Sequence, residues 1–233
     1  HRYSRRKNNF DQIGKYLSEN ATIAFQAEVE LALVRVLARR GIAPEKAPDE
    51  VERAIKELTT EEVYKEEAKT KHNIRALVNC IQQKVSKETR PYVHFTATSY
   101  DIVDTANSLR YKKAAEELIL PRLKELHKSW MEIALREKDS VQIGRTHGQH
   151  AVPVTFGFAI AEYVARLGER IEEFEVKADR LIGKFAGAVG AYNASSIFFE
   201  DPEEFEKKFL AEICLKPGEH STKIVHAEAM TAF

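Results

Sequence analysis

Five polar side chains that could transfer protons or bind anions occur together within six residues near the middle of the sequence. They are Arg145, Thr146, His147, Gln149 and His150. Glycine and proline are disfavoured in helix interiors by about 1 and about 3 kcal/mol relative to alanine. The surrounding segment 144–157 contains four such residues, Gly144, Gly148, Pro153 and Gly157, so we predict a loop that leads into a new helix. A glycine-rich connection whose side chains only satisfy backbone groups is the alternative.

Two long helical patterns flank this loop, at residues 101–138 and 154–185, and Pro121 either kinks the first or starts a second helix in it. Long helices joined by a short polar loop indicate an antiparallel pair in a bundle. Apolar side chains recur at helical spacing in both patterns. The predicted core positions are Leu109, Leu118, Leu123, Leu126, Trp130 and Ile133 in the first, and Phe158, Val164, Leu167, Ile171, Phe174, Ala178, Leu181 and Phe185 in the second.

The first hundred residues also favour helices. Apolar residues at 20–40 predict one helix that stops at Gly41, and amphipathic patterns at 50–58 and 60–83 predict two more. We therefore predict an all-α protein. Residues 1–100 would form a small N-terminal helical domain, and residues 101–233 the first part of a long-helix bundle domain.

Composition narrows the possible partners. The 36 basic and 36 acidic residues of the 233 balance, so no overall field would attract nucleic acid or an anionic membrane. No apolar run approaches the roughly 18 residues of a membrane span. The two cysteines, Cys80 and Cys214, lack metal-binding spacing and suggest no disulfide framework, so we expect a reducing cytoplasm and no metal.

A second polar segment, at residues 92–106, contains Thr98, Ser99, Asp101 and Asp104. Either hydroxyl could cap a helix that has an acidic residue in its first turn. A helix N-terminus with free N–H groups and neighbouring hydroxyls is also suited to bind a carboxylate. Both interpretations are compatible with one structure.

The two polar segments together resemble the fumarase/aspartase/argininosuccinate lyase superfamily, and its adenylosuccinate lyase branch in particular. The resemblance extends over almost the whole chain. It implies a helical bundle that eliminates fumarate from adenylosuccinate, and from the related succinyl-aminoimidazole carboxamide ribotide, without metal or organic cofactor. It also implies a homotetramer in which motifs from three subunits meet at each active site.

The same resemblance suggests roles for single residues. Thr98 and Ser99 would hold the succinyl carboxylates, and with Thr146 they would stabilise the dianion that forms when a proton leaves the carbon beside a carboxylate. Imidazole titrates near neutral pH, so His147 is the candidate general acid. His150 is expected to be structural.

Further candidate residues lie towards the N-terminus. Arg2 and Tyr3 match an opening at which the family contacts the phosphate end of the nucleotide. Lys71, His72 and Asn73 match a substrate-binding segment, in which His72 is a second catalytic candidate. A histidine at this position could equally cap a helix or lie on the surface. Asn73 stands where the family has aspartate. A role of His72 that depends on a carboxylate at position 73 to orient its ring is therefore not supported.

The C-terminal part departs from the family pattern. Lys223 stands where a substrate-binding glutamine is usual, and no Arg-Asp pair follows it. Either the site binds differently, or about four residues are absent between Val225 and His226, and we favour the absence. The family's base, a serine on a Gly/Ser-rich loop, has no counterpart here, so we expect the chain to be part of a longer protein.

Two other functions stay open on the sequence. One is another fumarate-releasing lyase or cycloisomerase of the superfamily, such as argininosuccinate lyase. The other is a non-catalytic helical assembly protein, because the base is missing.

Overall fold

The structure, a computed structural model, describes residues 10–233. The candidates Arg2 and Tyr3 lie outside the described residues. Eleven α-helices lie in the part that is described, which confirms the all-α class. The helices are α1 (Phe10–Leu17), α2 (Glu19–Arg39), α3 (Ala47–Lys56), α4 (Thr60–Thr70), α5 (Asn73–Lys84), α6 (Ser99–Ala114), α7 (Leu120–Arg136), α8 (Phe156–Asp179), α9 (Ser195–Phe198), α10 (Pro202–Glu212) and α11 (Glu228–Ala232).

The chain divides into two compact units. The first contains the described residues up to Lys113 together with Arg180–Phe233, and the second contains Ala114–Asp179. The units are thus interleaved in sequence. The expected domain boundary near residue 100 stays a prediction. No helix within residues 10–233 combines the length and apolar character needed to cross a membrane.

Helix α2 forms the centre of the first unit. The Ser18 hydroxyl caps its N-terminus by accepting a hydrogen bond from the Ala21 N–H at 3.1 Å. Gly41, with φ of 68°, follows its end, as the sequence predicted. Most of its residues are buried on every face, against α1, α3, α4 and α10, so the charged side chains that it carries inward must find partners.

One predicted helix is wrong in its length. Residues 60–83 form two helices, α4 and α5, which pack against each other. The break lies at Lys71, whose φ of 54° is left-handed, followed by extended His72. A left-handed residue cannot continue a right-handed helix. Helix α5 buries one apolar face, as its amphipathic pattern predicted; the buried residues include Ile74, Leu77, Val78 and Ile81.

In the second unit α7 and α8 form the predicted antiparallel pair. Lys124 pairs with Glu175 near one end, and His127 Nε2 donates to the Val164 carbonyl at 3.0 Å farther along. A π-helical turn, Ala115–Ile119, precedes α7. Pro121 lies in the first turn of α7, where proline is tolerated, so of the two alternatives it starts a second helix.

The predicted loop between these helices is wrong. It is an antiparallel hairpin of β1 (Val141–Thr146) and β2 (Gln149–Thr155). The register slips between Ile143 and Arg145, and Gly144 lies so close to the Val152 carbonyl that any Cβ would clash. A bulge of this kind needs glycine at this position.

Of the predicted core residues in the second unit only Ile171 and Ala178 are buried, most of the others are partly buried, and two are exposed. Leu126 is 41% exposed and Phe158 is 70% exposed. Each helix of a two-helix pair covers only one face of its neighbour, so apolar residues on other faces stay in contact with water. Further exposed apolar side chains of this unit are Met131, Leu135, Val141, Ile143, Val152, Phe156, Tyr163 and Val176.

Candidate active site

His72 joins the starts of two helices. Its Nδ1 accepts the Arg75 N–H at 3.2 Å, so His72 is the N-cap of α5. Its Nε2 lies 3.0 Å from Ser99 Oγ, at the first residue of α6. Since Nδ1 accepts, the proton of the neutral ring sits on Nε2 and is donated to Ser99. The helix-cap interpretation of His72 is therefore confirmed, and its role in a site stays a prediction.

This geometry removes the concern about Asn73. A backbone N–H orients the ring of His72, and no carboxylate is needed for that purpose. Asn73 itself is the first residue of α5 and is exposed, as is Lys71. Both candidates therefore flank His72 at the surface.

The start of α6 is held by Asp101. The Asp101 carboxylate accepts the Thr98 N–H at 2.9 Å, and the Asp101 N–H donates to the Thr98 carbonyl at 3.0 Å. Helix α6 therefore begins at Ser99 with an acidic residue in its first turn, as predicted. Because Asp101 holds the backbone of Thr98, the Thr98 and Ser99 hydroxyls are presented at a helix N-terminus.

Asp101 also forms a buried ion pair. Lys184 Nζ lies 2.5 Å from Asp101 Oδ1, and neither side chain is more than 1% exposed. Lys184 Nζ donates as well to the Gly187 carbonyl at 2.8 Å, and the Gly187 N–H donates to Asp101 Oδ1 at 3.3 Å. The pair thereby fixes the turn at 187–190 against the first turn of α6. Nothing in the spacing of residues 101 and 184 indicated this contact.

A second segment, residues 221–225, packs against the turn at 187–190. Gly190, with φ of 75°, packs so tightly on Ser221 that a Cβ would overlap the Ser221 carbonyl oxygen. The Asp104 carboxylate accepts the Val225 N–H at 2.9 Å. These contacts hold residues 221–225 beside α6.

Lys223 belongs to this segment. Its Nζ lies 5.1 Å from the centroid of the Tyr100 ring, over the ring face. Tyr100 follows Ser99 directly. The structure therefore places the ammonium group of Lys223 over a side chain of the first turn of α6.

A buried carboxylate supports the turn from its other side. Glu206 on α10 accepts the Phe185 N–H and the Tyr192 hydroxyl, each at 2.5 Å. Burial is the main cause of the raised pKa of Glu206. Burial and the hydrogen bond to Glu206 together raise the pKa of the Tyr192 hydroxyl, which therefore stays protonated as a donor.

Immediately before Thr98 the backbone is unusual. His94 and Thr96 have φ of 65° and 59°. Left-handed geometry costs roughly 1–2 kcal/mol for a residue with a Cβ. Glu30 on α2 binds His94 through both carboxylate oxygens. Neither Glu30 nor His94 was among the predicted site residues, and the only signal was an acidic residue in an apolar helix.

His147 lies at the tip of the hairpin in the second unit. Thr146 pairs with Gln149, and the two residues between them, His147 and Gly148, have φ of 51° and 72°. Two consecutive positive φ values define a type I′ turn, in which histidine is an uncommon first residue. The side chains from Arg145 to His150 are exposed.

The candidate residues therefore form two groups. In the first unit His72 contacts Ser99, which follows Thr98, and Lys223 lies over the ring of Tyr100; the second unit carries Thr146 and His147 at the tip of the hairpin. Hydroxyl, imidazole and ammonium groups at a helix N-terminus are suited to bind a dianion. Among residues 10–233, no group of three or more His, Cys, Asp and Glu side chains could hold a metal ion.

Comparison with known proteins shows which family the chain is similar to. A family model described as lyase matches residues 3–230. The adenylosuccinate lyase of Archaeoglobus fulgidus is 37% identical over 209 residues, which are 89% of this chain and 46% of that protein. The chain spans about half the length of the curated relatives that it matches.

Two solved structures are similar to the chain. One is a fumarate lyase from Mesorhizobium sp. BNC1, with 27% identity and a TM-score of 0.80 over 93% of this chain and 51% of that one. The other is a 3-carboxy-cis,cis-muconate lactonizing enzyme from Pseudomonas putida, with 26% identity and a TM-score of 0.80 over 90% of this chain and 48% of that one. The resemblance found in the sequence is confirmed, and the chain belongs to the lyase family.

Proposed function

We propose that the full-length protein eliminates fumarate from adenylosuccinate, and from the related succinyl-aminoimidazole carboxamide ribotide. The observation that carries the proposal is the hydrogen bond between His72 Nε2 and Ser99 Oγ at the start of α6. The names of the relatives support the same activity.

In this reaction a base removes a proton from the carbon next to a carboxylate of the succinyl group, and the C–N bond then breaks. The electron pair of that bond stays on nitrogen, which takes a proton from a general acid. The intermediate carries extra negative charge on the carboxylate, and preorganised donors lower its energy. Ser99 accepts its hydrogen bond from His72, so its own O–H is free to donate to that carboxylate.

The hydrogen bonds of His72 argue against its acting as the general acid. Its only ring proton is on Nε2, because Nδ1 accepts the Arg75 N–H. Donation of that proton would leave an imidazolate, which neutral histidine does not form at ordinary pH. We therefore assign the general acid to His147, whose ring lies on an exposed turn, and a positioning and substrate-binding role to His72.

The remaining candidates are proposed to bind substrate. Lys223 would add positive charge beside the carboxylate-binding hydroxyls, and Thr146 a hydroxyl donor beside His147. Lys71 and Asn73 would contact substrate from the exposed start of α5, and Arg2 and Tyr3 the phosphate end. The sequence contains no counterpart of the family's base serine loop, so the base is expected elsewhere in the full-length protein.

We also propose a homotetramer with active sites shared between subunits. The exposed apolar side chains of α7, α8 and the hairpin, such as Leu135, Val152 and Phe158, would be covered by copies of the same unit. The Ser99 group and His147 belong to different compact units, and a site built from several chains could combine them. We expect the protein in the cytoplasm.

The decisive experiment is to incubate the purified full-length protein with adenylosuccinate and to measure AMP and fumarate. We expect equal amounts of both products, and loss of product formation in Ser99→Ala. The matched control is Ser129→Ala, whose exposed hydroxyl donates to the Glu125 carbonyl within α7. No fumarate from a folded full-length protein would refute the proposal.

A different lyase or cycloisomerase reaction is the second candidate, favoured by the similarity to the Pseudomonas putida lactonizing enzyme. A panel of argininosuccinate, carboxymuconate and adenylosuccinate separates the two. Turnover of a substrate other than adenylosuccinate would establish the second candidate, and turnover of none would favour a non-catalytic assembly role.

A further inference from the structure

Glu30 is a charged residue inside the core of the first unit. It lies on α2 with no exposed surface. A buried carboxylate is unfavourable unless hydrogen bonds satisfy its oxygens. Oε2 accepts the His94 N–H at 2.9 Å, and Oε1 lies 2.6 Å from His94 Nδ1. Both oxygens of Glu30 therefore bind one residue, through its backbone and its side chain.

The segment that Glu30 holds has a disfavoured conformation. His94 and Thr96 are both left-handed, which is rare for a β-branched residue such as threonine. The Thr96 hydroxyl is buried and has no hydrogen-bond partner among the described residues. Such geometry persists only where the surrounding structure imposes it. Phe95, between them, packs on Phe198 with ring centroids 4.8 Å apart.

The charges around His94 strengthen the contact. Burial works to lower the pKa of His94, but the Glu30 carboxylate outweighs burial, so the pKa of His94 is raised. Asp101 also raises the pKa of His94, and Arg75 lowers it. A protonated ring makes the hydrogen bond to Glu30 charge-assisted, which is stronger than a neutral one.

We infer that Glu30 is a positioning residue for the anion-binding start of α6. By binding His94 it fixes the left-handed turn at 94–96, and only Ala97 separates this turn from Thr98. The placement of the Thr98 and Ser99 hydroxyls then depends on the carboxylate of Glu30, which lies on α2 and is buried in the first unit. The expected effect on substrate binding rests on the proposed function, whereas the expected effect on the backbone at 94–99 does not.

Three variants of the full-length protein test this role. Glu30→Met keeps the length of the side chain and removes both acceptors. Glu30→Gln keeps an acceptor for the His94 N–H. His94→Asn keeps the backbone donor and a residue type that tolerates positive φ, but removes the imidazole. The control is Leu37→Ala, which opens a cavity at a fully buried position of the same helix.

The first measurement is amide hydrogen exchange in the full-length variants, followed in a fragment that covers residues 93–99. We expect at least tenfold faster exchange in Glu30→Met, a smaller increase in His94→Asn, which loses only the imidazole bond, and exchange close to wild type in Glu30→Gln and Leu37→Ala. Equal exchange in Glu30→Met and Leu37→Ala would overturn the inference. This result does not depend on activity, so an inactive wild-type protein would refute the proposed function alone.

The second measurement is steady-state kinetics with adenylosuccinate. We expect the KM of Glu30→Met to rise at least tenfold, with a smaller fall in kcat, because the displaced hydroxyls bind substrate before the chemical step. The KM of Glu30→Gln should stay close to wild type, and that of His94→Asn should rise less than that of Glu30→Met. An unchanged KM in Glu30→Met, or a rise in Glu30→Gln as large as in Glu30→Met, would overturn it.

Discussion

His72 Nε2 and Ser99 Oγ lie 3.0 Å apart, although the two residues are 27 positions apart in the sequence. His72 is the N-cap of α5, and Ser99 is the first residue of α6. The hydrogen bond therefore brings two helix N-termini together. Each N-terminus has free backbone N–H groups and a partial positive charge, so their convergence favours an anion more than either end alone.

Substitution of His72 should separate its two roles. His72→Asn retains a good N-cap but cannot reach Ser99, whereas His72→Ala loses both functions. We expect His72→Ala to lower the free energy of unfolding by about 0.5–2 kcal/mol, and His72→Asn to leave it close to wild type. Both should raise the KM. A wild-type KM in His72→Asn would show that His72 acts only as a helix cap.

Removal of the His147 ring should slow the reaction without unfolding the protein. We expect His147→Ala in the full-length protein to lower turnover by about 10²–10⁴-fold, the range for loss of a general acid. Circular dichroism should be unchanged, because the side chain is exposed. His150→Ala is the control. A large loss in His150→Ala with little in His147→Ala would mean that the other histidine is the acid.

Loss of Lys184 should destabilise the first unit strongly. Lys184→Met leaves the buried Asp101 carboxylate without its cation, and we expect a fall of about 3–5 kcal/mol in the free energy of unfolding. Lys208 and Glu204 form an exposed pair on α10, with side chains 58% and 45% exposed. Lys208→Met should cost less than about 1 kcal/mol. Equal losses in urea unfolding would contradict a special role for the buried pair.

The pH dependence of stability should show the contact between His94 and Glu30. The folded-state pKa of His94 is raised, so protonation of its ring stabilises the fold. This contribution is fully present below the unfolded pKa of about 6.5 and is lost as pH rises through the folded pKa. Wild type should therefore lose more stability than His94→Asn over that range. His147→Ala is the control and should parallel wild type. Parallel curves for His94→Asn and wild type would contradict the prediction.

The helices of the first unit were largely predictable because burial leaves a clear apolar period. Residues 20–40 predicted α2 almost to its ends, since Gly41 marks the stop. The hairpin was not predictable in the same way. Its strands are mostly exposed on both faces, so no alternation of apolar and polar residues marks them. The type I′ turn depends on left-handed His147, a conformation that sequence alone does not require.

The polar residues of the site divide along similar lines. His72 was predictable as a possible helix cap, and Thr98 and Ser99 as the start of a helix, because these assignments need only local sequence. The partners of Asp101 and His94 were not, since Lys184 is 83 positions away from Asp101 and Glu30 is 64 positions away from His94. Such pairs form only after the helices have packed, and charged residues within apolar segments are the one local sign of them.

Gly190 limits which substitutions can be accepted during evolution in the turn at 187–190. At a core position such as Leu37, tolerance to substitution is graded, because the cost follows the volume lost or added. At Gly190 the obstacle is the first side-chain carbon, which would overlap the Ser221 carbonyl oxygen. Alanine and tryptophan should therefore be rejected alike. A descendant chain without glycine at this position must also have rerouted the segment at Ser221, so this single residue reports whether the two distant segments still touch.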